Sequence, residues 1–349
     1  MAELESIAPQ ALIGSDFPSV TSRAPQVVGR VLLCSFGLVL AVVVGMAYWP
    51  TPALRFPVEQ VILPAEYSGA LHALEGARGK TPGVARDCDT KWMLHGHPTE
   101  TVYVLMHGLC NCPKQYQQLG ELLFSQGSNV LIPRTPWHGL SNLMNTGFAT
   151  LTAAELIESA EGAVDLAKAL GKRIVVVGLS INGTTTAWLA QNRSDIARAV
   201  LLNPFFAPAV IPEWSAAPAG RLAMRLPNQF IWWNDLEKEN LIGPPYAYPR
   251  FPTQVIGQVM QLGECVREQA KSSPFRSGSV LIVTSAADHA ASAKATASLV
   301  AEWRRLRPDG VTTHEFPLAE RVPHDFIDPN QPDQKVAEVY PELLRLLKE

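Results

Sequence analysis

Ile174-Val175-Val176-Val177-Gly178-Leu179-Ser180-Ile181-Asn182-Gly183 is the stretch on which the chain turns. Four β-branched apolar residues in a row fit a strand buried on both faces. The segment behind them, Thr184 to Asn192, reads as a helix with Ala187, Trp188 and Ala190 available to pack. Between the two lies Ser180. A strand that turns sharply on a serine and enters a helix strains the backbone there. It also lifts the hydroxyl above the sheet, beside the helix N-terminus. Glycines on either side let strand and helix approach closely. Gly-x-Ser alone is common and carries little weight; set between strand and helix it marks a candidate nucleophile rather than a structural turn serine.

A serine hydroxyl needs a base, and the base needs a group that orients it. Both occur downstream, in the order serine, acid, histidine. Ser279-Val280-Leu281-Ile282-Val283-Thr284 reads as another buried strand, followed by the small residues Ser285-Ala286-Ala287 and then Asp288. A carboxylate leaving the C-terminal end of a parallel strand points into the crevice where such sheets bind ligands. His324 lies in Arg321-Val322-Pro323-His324-Asp325, beyond a last strand near Val311 to Phe316. His289 is the rival base, but adjacency to Asp288 makes a side-chain hydrogen bond between them awkward. Asp325 and Asp328 are the rival acids.

The rest of the chain alternates helices with short apolar strands. Tyr116, Leu119, Leu122, Leu123 and Phe124 recur at helical spacing. Thr152 with Glu155 forms a capping box for a second helix, whose apolar positions run from Leu156 to Leu170 and which Gly171 closes. This alternation predicts an α/β fold with a parallel sheet covered on both faces. It breaks after Asn203. From about 205 to 276 prolines accumulate among Trp214, Phe230, Trp232, Trp233, Tyr246, Tyr248 and Phe251, with one helix evident through Val255, Ile256, Val259, Met260 and Val266. Such an insertion predicts a small cap. Most of its aromatics are expected to form the cap's own core and one or two to line a pocket.

Taken together these motifs resemble the α/β-hydrolase superfamily, and within it the bacterial serine esterase and lysophospholipase-like branch. The resemblance spans roughly residues 85 to 348. It rests on His107-Gly108 after a strand, Pro133-Arg134 with His138-Gly139, the turn at Ser180, Asp288, and His324-Asp325. The chain departs from the pattern at Asn182, where a glycine or other small residue is usual and where left-handed geometry would suit asparagine. The resemblance implies an α/β-hydrolase domain over 85–349 and a Ser180, Asp288, His324 triad that hydrolyses carboxylic esters, acyl esters or lysolipids, through an acyl-enzyme. It also implies an oxyanion hole from the backbone N–H groups of Leu109 and Ile181. No cofactor and no metal is expected. Two alternatives stand beside this: a peptidase of the proline-iminopeptidase type, and a non-catalytic ligand receptor or scaffold that keeps the triad.

The chain has 349 residues and a net charge of −3, with no basic run, which disfavours nucleic-acid binding. Val31 to Trp49 contains no charged residue and is long enough to cross a bilayer core as a helix. An uncleaved membrane anchor, a cleaved signal and a buried helix are the options, the first preferred. Residues 1–30 before it are expected to be disordered, and 50–84 after it, with Pro50, Pro52, Pro57, Pro64 and Pro82, to form a tether. Arg23 and Arg30 on the amino side favour an inward N-terminus and an exported catalytic domain. Of five cysteines, Cys88 and Cys112 flank neighbouring strands, so a disulfide and a pair of buried thiols are both open. Among eight histidines, His107 is expected to brace its own loop, while His138 and His314 read as structural. His95-Gly96-His97 lacks the further ligands a metal needs.

Overall fold

The computed structural model describes residues 24–49, 66–234 and 243–348. It falls into two bodies, residues 1–45 and 46–349. The larger is built on a seven-stranded sheet. In chain order its strands are β1 (Lys91–Met93), β2 (Thr99–Met106), β3 (Asn129–Ile132), β4 (Gly171–Leu179), β5 (Arg198–Leu202), β8 (Ser279–Ser285) and β9 (Val311–Phe316), arranged β1-β3-β2-β4-β5-β8-β9. Every pairing is parallel except that of β1 with β3. The chain adds β3 on one side of β2 and then crosses to place β4 on the other. That reversal opens a crevice beyond the carboxyl ends of β2 and β4, the position at which open parallel sheets bind ligands.

Alternation along the strands divides the core into two layers. Val102, Val104 and Val176 face one way, against Ala160 and Val164 of α4 (Ala153–Leu170) and Trp188 of α5 (Ile181–Asn192). Tyr103, Leu105, Val175 and Val177 face the other, against Leu119 and Leu123 of α3 (Gln117–Ser125) and Leu343 of the C-terminal helix Val336–Lys348. The Thr152–Glu155 capping box forms as expected. Gly171 does not close α4 with a left-handed turn. It has extended backbone and begins β4 directly, where an added Cβ would come 2.8 Å from that of Val102.

Between β5 and β8 lie α6 (Glu213–Arg225), the antiparallel pair β6 (Phe230–Trp232) and β7 (Arg250–Pro252), and α7 (Thr253–Ser272). The apolar spacing of α7 was legible, whereas Pro218 inside α6 disguises that helix. The aromatics do not share one role. Tyr248 is buried, but Trp214 is 78% exposed, so it is not part of a cap core.

Residues 66–84 are not a plain tether. The helix α2 (Tyr67–Ala77) buries Ala70 and Leu74, one turn apart on a single face, in the core, and Val84 pairs with Leu140. The prolines that suggested a tether mostly precede this helix, in 50–65, which with 1–23 lies outside the described residues. Helix also replaces the disorder expected at 24–30, because α1 runs from Ala24 to Tyr48. Among the described residues no helix is long and apolar enough to cross a membrane. Along α1 Leu32, Leu33, Phe36, Leu38 and Val39 stand exposed.

Cys88 and Cys112 are joined in a disulfide with a Cα–Cα separation of 5.3 Å, tying the segment before β1 to the turn after β2. Gly139, at φ +71°, packs on the bridge: a Cβ there would lie 2.8 Å from that of Cys88. Cross-linking residues 24 apart is worth on the order of 3 kcal/mol by loop closure. Replacing both cysteines by serine is therefore expected to lower the thermal midpoint by several degrees. An unchanged midpoint in calorimetry, with and without reductant, would show that the bridge adds nothing to stability.

Candidate active site

Ser180 sits at the end of β4 and caps α5 with φ 57° and ψ −114°. Few L-residues occupy that region, and the surroundings hold it there. The Ser180 N–H donates to the Leu202 carbonyl at 2.9 Å, and the Ser180 carbonyl accepts from the N–H groups of Thr184 (3.2 Å) and Phe205 (3.0 Å). The close approach is made by Gly178 and Gly183. A Cβ on Gly178 would overlap the Asn182 carbonyl and Thr186 Oγ1, and one on Gly183 would come 2.8 Å from Pro204 Cα. Left-handed geometry falls on Ser180 and not on Asn182, which is helical. Asparagine is accommodated for a different reason. Its amide is buried and donates to the His107 carbonyl at 2.6 Å and to Thr135 Oγ1 at 3.0 Å, stitching α5 to two neighbouring loops.

Asp288 lies three residues beyond β8. Its Oδ1 accepts from the N–H groups of Ala290 (2.7 Å) and Ala291 (3.2 Å), which fixes the carboxyl plane. Its Oδ2 is 2.7 Å from His324 Nδ1. Burial alone would raise the Asp288 pKa, but the hydrogen bond and charge of His324 outweigh it and hold the carboxyl below its ordinary range. A carboxylate only accepts, so Nδ1 carries the proton and Nε2 is the basic atom. His289 points to solvent and is not the partner of Asp288. Of the other rivals, Asp328 is buried and Asp325 half-buried, and both are engaged elsewhere. Burial and the nearby Asp328 raise the Asp325 pKa.

Two residues that sequence reasoning passed over tie these turns together. Asn203, at φ 37°, donates its amide to the His324 carbonyl at 2.9 Å and accepts the Ser285 N–H at 2.9 Å. Ser285 Oγ donates to the Val322 carbonyl at 2.6 Å. A side-chain amide at the end of β5 thus fastens the Asp288 turn and the His324 loop to one point. Its only sequence signal is a polar residue ending an apolar strand.

The loop after β2 approaches Ser180 from the other side. A Cβ on Gly108 would sit 3.7 Å from that of Ser180. His107 Nε2 accepts the Thr135 N–H at 3.1 Å, so Nδ1 bears the proton and donates to the Gly108 carbonyl at 3.0 Å. Burial, with His138 beside it, keeps His107 well below the ordinary imidazole range and therefore neutral; burial likewise lowers His138 to about 4. The Asn111 N–H also donates to the Gly108 carbonyl, at 3.3 Å. Across a trans peptide the N–H of Leu109 points opposite to that carbonyl. Ile181 is the first residue of α5, where N–H groups have no partner within the helix.

Ser180 and His324 line one cavity of about 460 Å³. Leu109, Leu143, Leu179, Trp233, Pro245 and Tyr248 give it an apolar wall, so two of the insertion's aromatics do reach the pocket. Asn111, Gln115, Asp325 and Gln331 form a polar side.

The Alpha/beta hydrolase family model matches residues 103–342. A thermostable monoacylglycerol lipase of Bacillus sp. (strain H-257) is 30% identical over 119 residues, 34% of this chain and 44% of that protein, so the match spans less than half of the relative. The monoacylglycerol lipase of Paleococcus ferrophilus shares the fold with a TM-score of 0.56 and 19% identity, covering 74% of this chain and 98% of that one. A soluble variant of the monoglyceride lipase of Saccharomyces cerevisiae does so at 0.55 and 14%, covering 74% and 91%. With more than half of its length matched by the family model on a crossed parallel sheet, the chain belongs to the alpha/beta hydrolase family.

Proposed function

We propose that the protein is a serine hydrolase that cleaves carboxylic esters of acyl chains, monoacylglycerol-like or lysolipid amphiphiles among them. The observation that carries this is the Asp288–His324 pair at 2.7 Å, opening on the cavity that Ser180 also lines. In the proposed mechanism His324 Nε2 takes the Ser180 proton as Oγ attacks the ester carbonyl. Asp288 keeps the imidazole in the required tautomer and stabilises its charged form. The N–H groups of Leu109 and Ile181 receive the oxyanion. His324 returns the proton to the leaving alcohol, and water, activated the same way, releases the acid. Esters are favoured by the named lipase relatives and by the apolar cavity wall.

We further propose that α1 is a membrane-seeking helix and that the catalytic domain faces the exported side. Exposed Leu32, Leu33, Phe36, Leu38 and Val39 support the first, since apolar side chains in such a row favour lipid over water. The Cys88–Cys112 disulfide supports the second, since such bridges persist in oxidising compartments.

The test uses the full chain and one beginning at Glu66. The full chain is expected to sediment with membranes and the shorter one to stay in solution with its activity intact. On the shorter chain, turnover of monoacylglycerols and medium-chain esters should exceed that of aminoacyl amides. Preference for a proline amide would replace the esterase with a peptidase. Tight ligand binding with no turnover of any substrate would replace the enzyme with a receptor.

A further inference from the structure

Gln115 occupies an unusual position. It is 1% exposed, just ahead of α3, and its amide faces two loops at once. Oε1 accepts the Gly108 N–H at 2.8 Å, and Nε2 donates to Asp325 Oδ2 at 2.7 Å. Neither orientation can be reversed, because the N–H can only donate and an ionised Asp325 only accepts. The same Oδ2 receives Gln331 Nε2 at 2.7 Å and Asn111 Nδ2 at 3.3 Å, while Oδ1 receives the N–H groups of Ile327 (3.3 Å) and Asp328 (3.2 Å). Asp325 is therefore fixed within its own loop and follows His324 directly. One buried side chain joins the His107–Gly108 peptide to the loop that carries the histidine.

We propose that Gln115 and Asp325 form a positioning strut, which holds the oxyanion-binding peptide and the base at one fixed separation; the proposal rests on the roles given above to Ser180, His324 and Leu109. The Gly108–Leu109 peptide is gripped at its carbonyl by His107 and Asn111. Gln115 grips the preceding peptide and so removes the remaining freedom of the loop to rotate. Donors to an oxyanion act only when aimed where charge develops, so a loop released from the strut binds the ground state normally and the tetrahedral state poorly.

Three readouts test this on the full chain: kcat, KM, and the affinity of an alkyl trifluoromethyl ketone. Serine Oγ adds to that carbonyl carbon, the serine proton passes to the imidazole, and the carbonyl oxygen becomes an oxyanion. Gln115→Leu is expected to lower kcat and ketone affinity together by about 10²-fold, with KM within about twofold of wild type. Gln115→Glu sets two carboxyls face to face and should fall as far. Adding Asp325→Asn turns an amide donor toward the new carboxylate, with the Gln331 amide reversed so that its oxygen meets the same donor, and should recover about tenfold, a non-additivity that mere loss of packing would not produce.

A folded Gln115→Leu protein with wild-type kcat and ketone affinity would overturn the proposal. If that variant does not fold, the Gln115→Glu pair, which preserves size, decides, and no recovery in the double variant overturns the proposal equally. Loss of all fluorophosphonate labelling in Ser180→Ala alongside fully active Gln115 variants would remove the strut and leave the enzyme reading standing. Turnover retained in Ser180→Ala would remove the reading itself.

Discussion

Replacing Ser180 by alanine will abolish ester turnover and labelling by a fluorophosphonate probe, with a loss on the order of 10³-fold or more, because triad members act as a unit. Ser180 is 6% exposed, and its backbone is held by three hydrogen bonds that alanine preserves, so the loss will not come from unfolding. Mass spectrometry of the labelled wild-type protein should find the probe once, on Ser180. Retained turnover in the alanine variant, or a label on another serine, would overturn the assignment.

His324→Ala should cost nearly as much as the loss of Ser180, whereas His289→Ala should leave most activity in place. The contrast follows from geometry. His324 Nδ1 is bonded to Asp288, while the neighbouring His289 is turned to solvent. Asp288→Asn should lie between them, since an amide can hold the ring in place but tends to favour the wrong tautomer. The reverse ranking of the two histidines in steady-state kinetics would show that the base has been misassigned. Asp288 also bears on stability. Its pKa is lowered in the folded protein, so its contribution is complete above the ordinary carboxylate range and is lost as pH falls through that lowered value.

The parts of this site that could be read from sequence were those in which chemistry and local pattern coincide. The run Ile174 to Val177 can only be a buried strand, and a serine in the turn after it has few other uses. Asp288 and His324 were visible because short apolar strands announce where a parallel sheet ends. The Asp288–His324 contact spans 36 positions, yet topology alone places both at one sheet edge. Asn203 and Gln115 were not visible, since each works through a single amide hydrogen-bonded to distant loops and neither has a periodicity. Helix α6 was hidden by Pro218, and α2 by the prolines before it. Asn182 shows the opposite error: its tolerance for left-handed geometry was a sound general argument applied to the wrong residue, because Ser180 takes the strained conformation. The bridge between Cys88 and Cys112 was undecidable from spacing and needed the packed positions of both turns.

The backbone of Ser180 has one further consequence, for anyone who would make this protein hardier. At φ 57° and ψ −114° a side chain costs on the order of 1–3 kcal/mol. Glycine would accept the same angles freely, and its extra entropy in the unfolded chain takes back only about 0.5–1 kcal/mol of that relief. Selection for heat resistance alone would therefore favour Ser180→Gly over the natural residue, and should give a higher melting temperature than Ser180→Ala, which keeps the strain. Durability and chemistry are opposed at this position, and a screen that scores only the survivors of heating will enrich for inert protein.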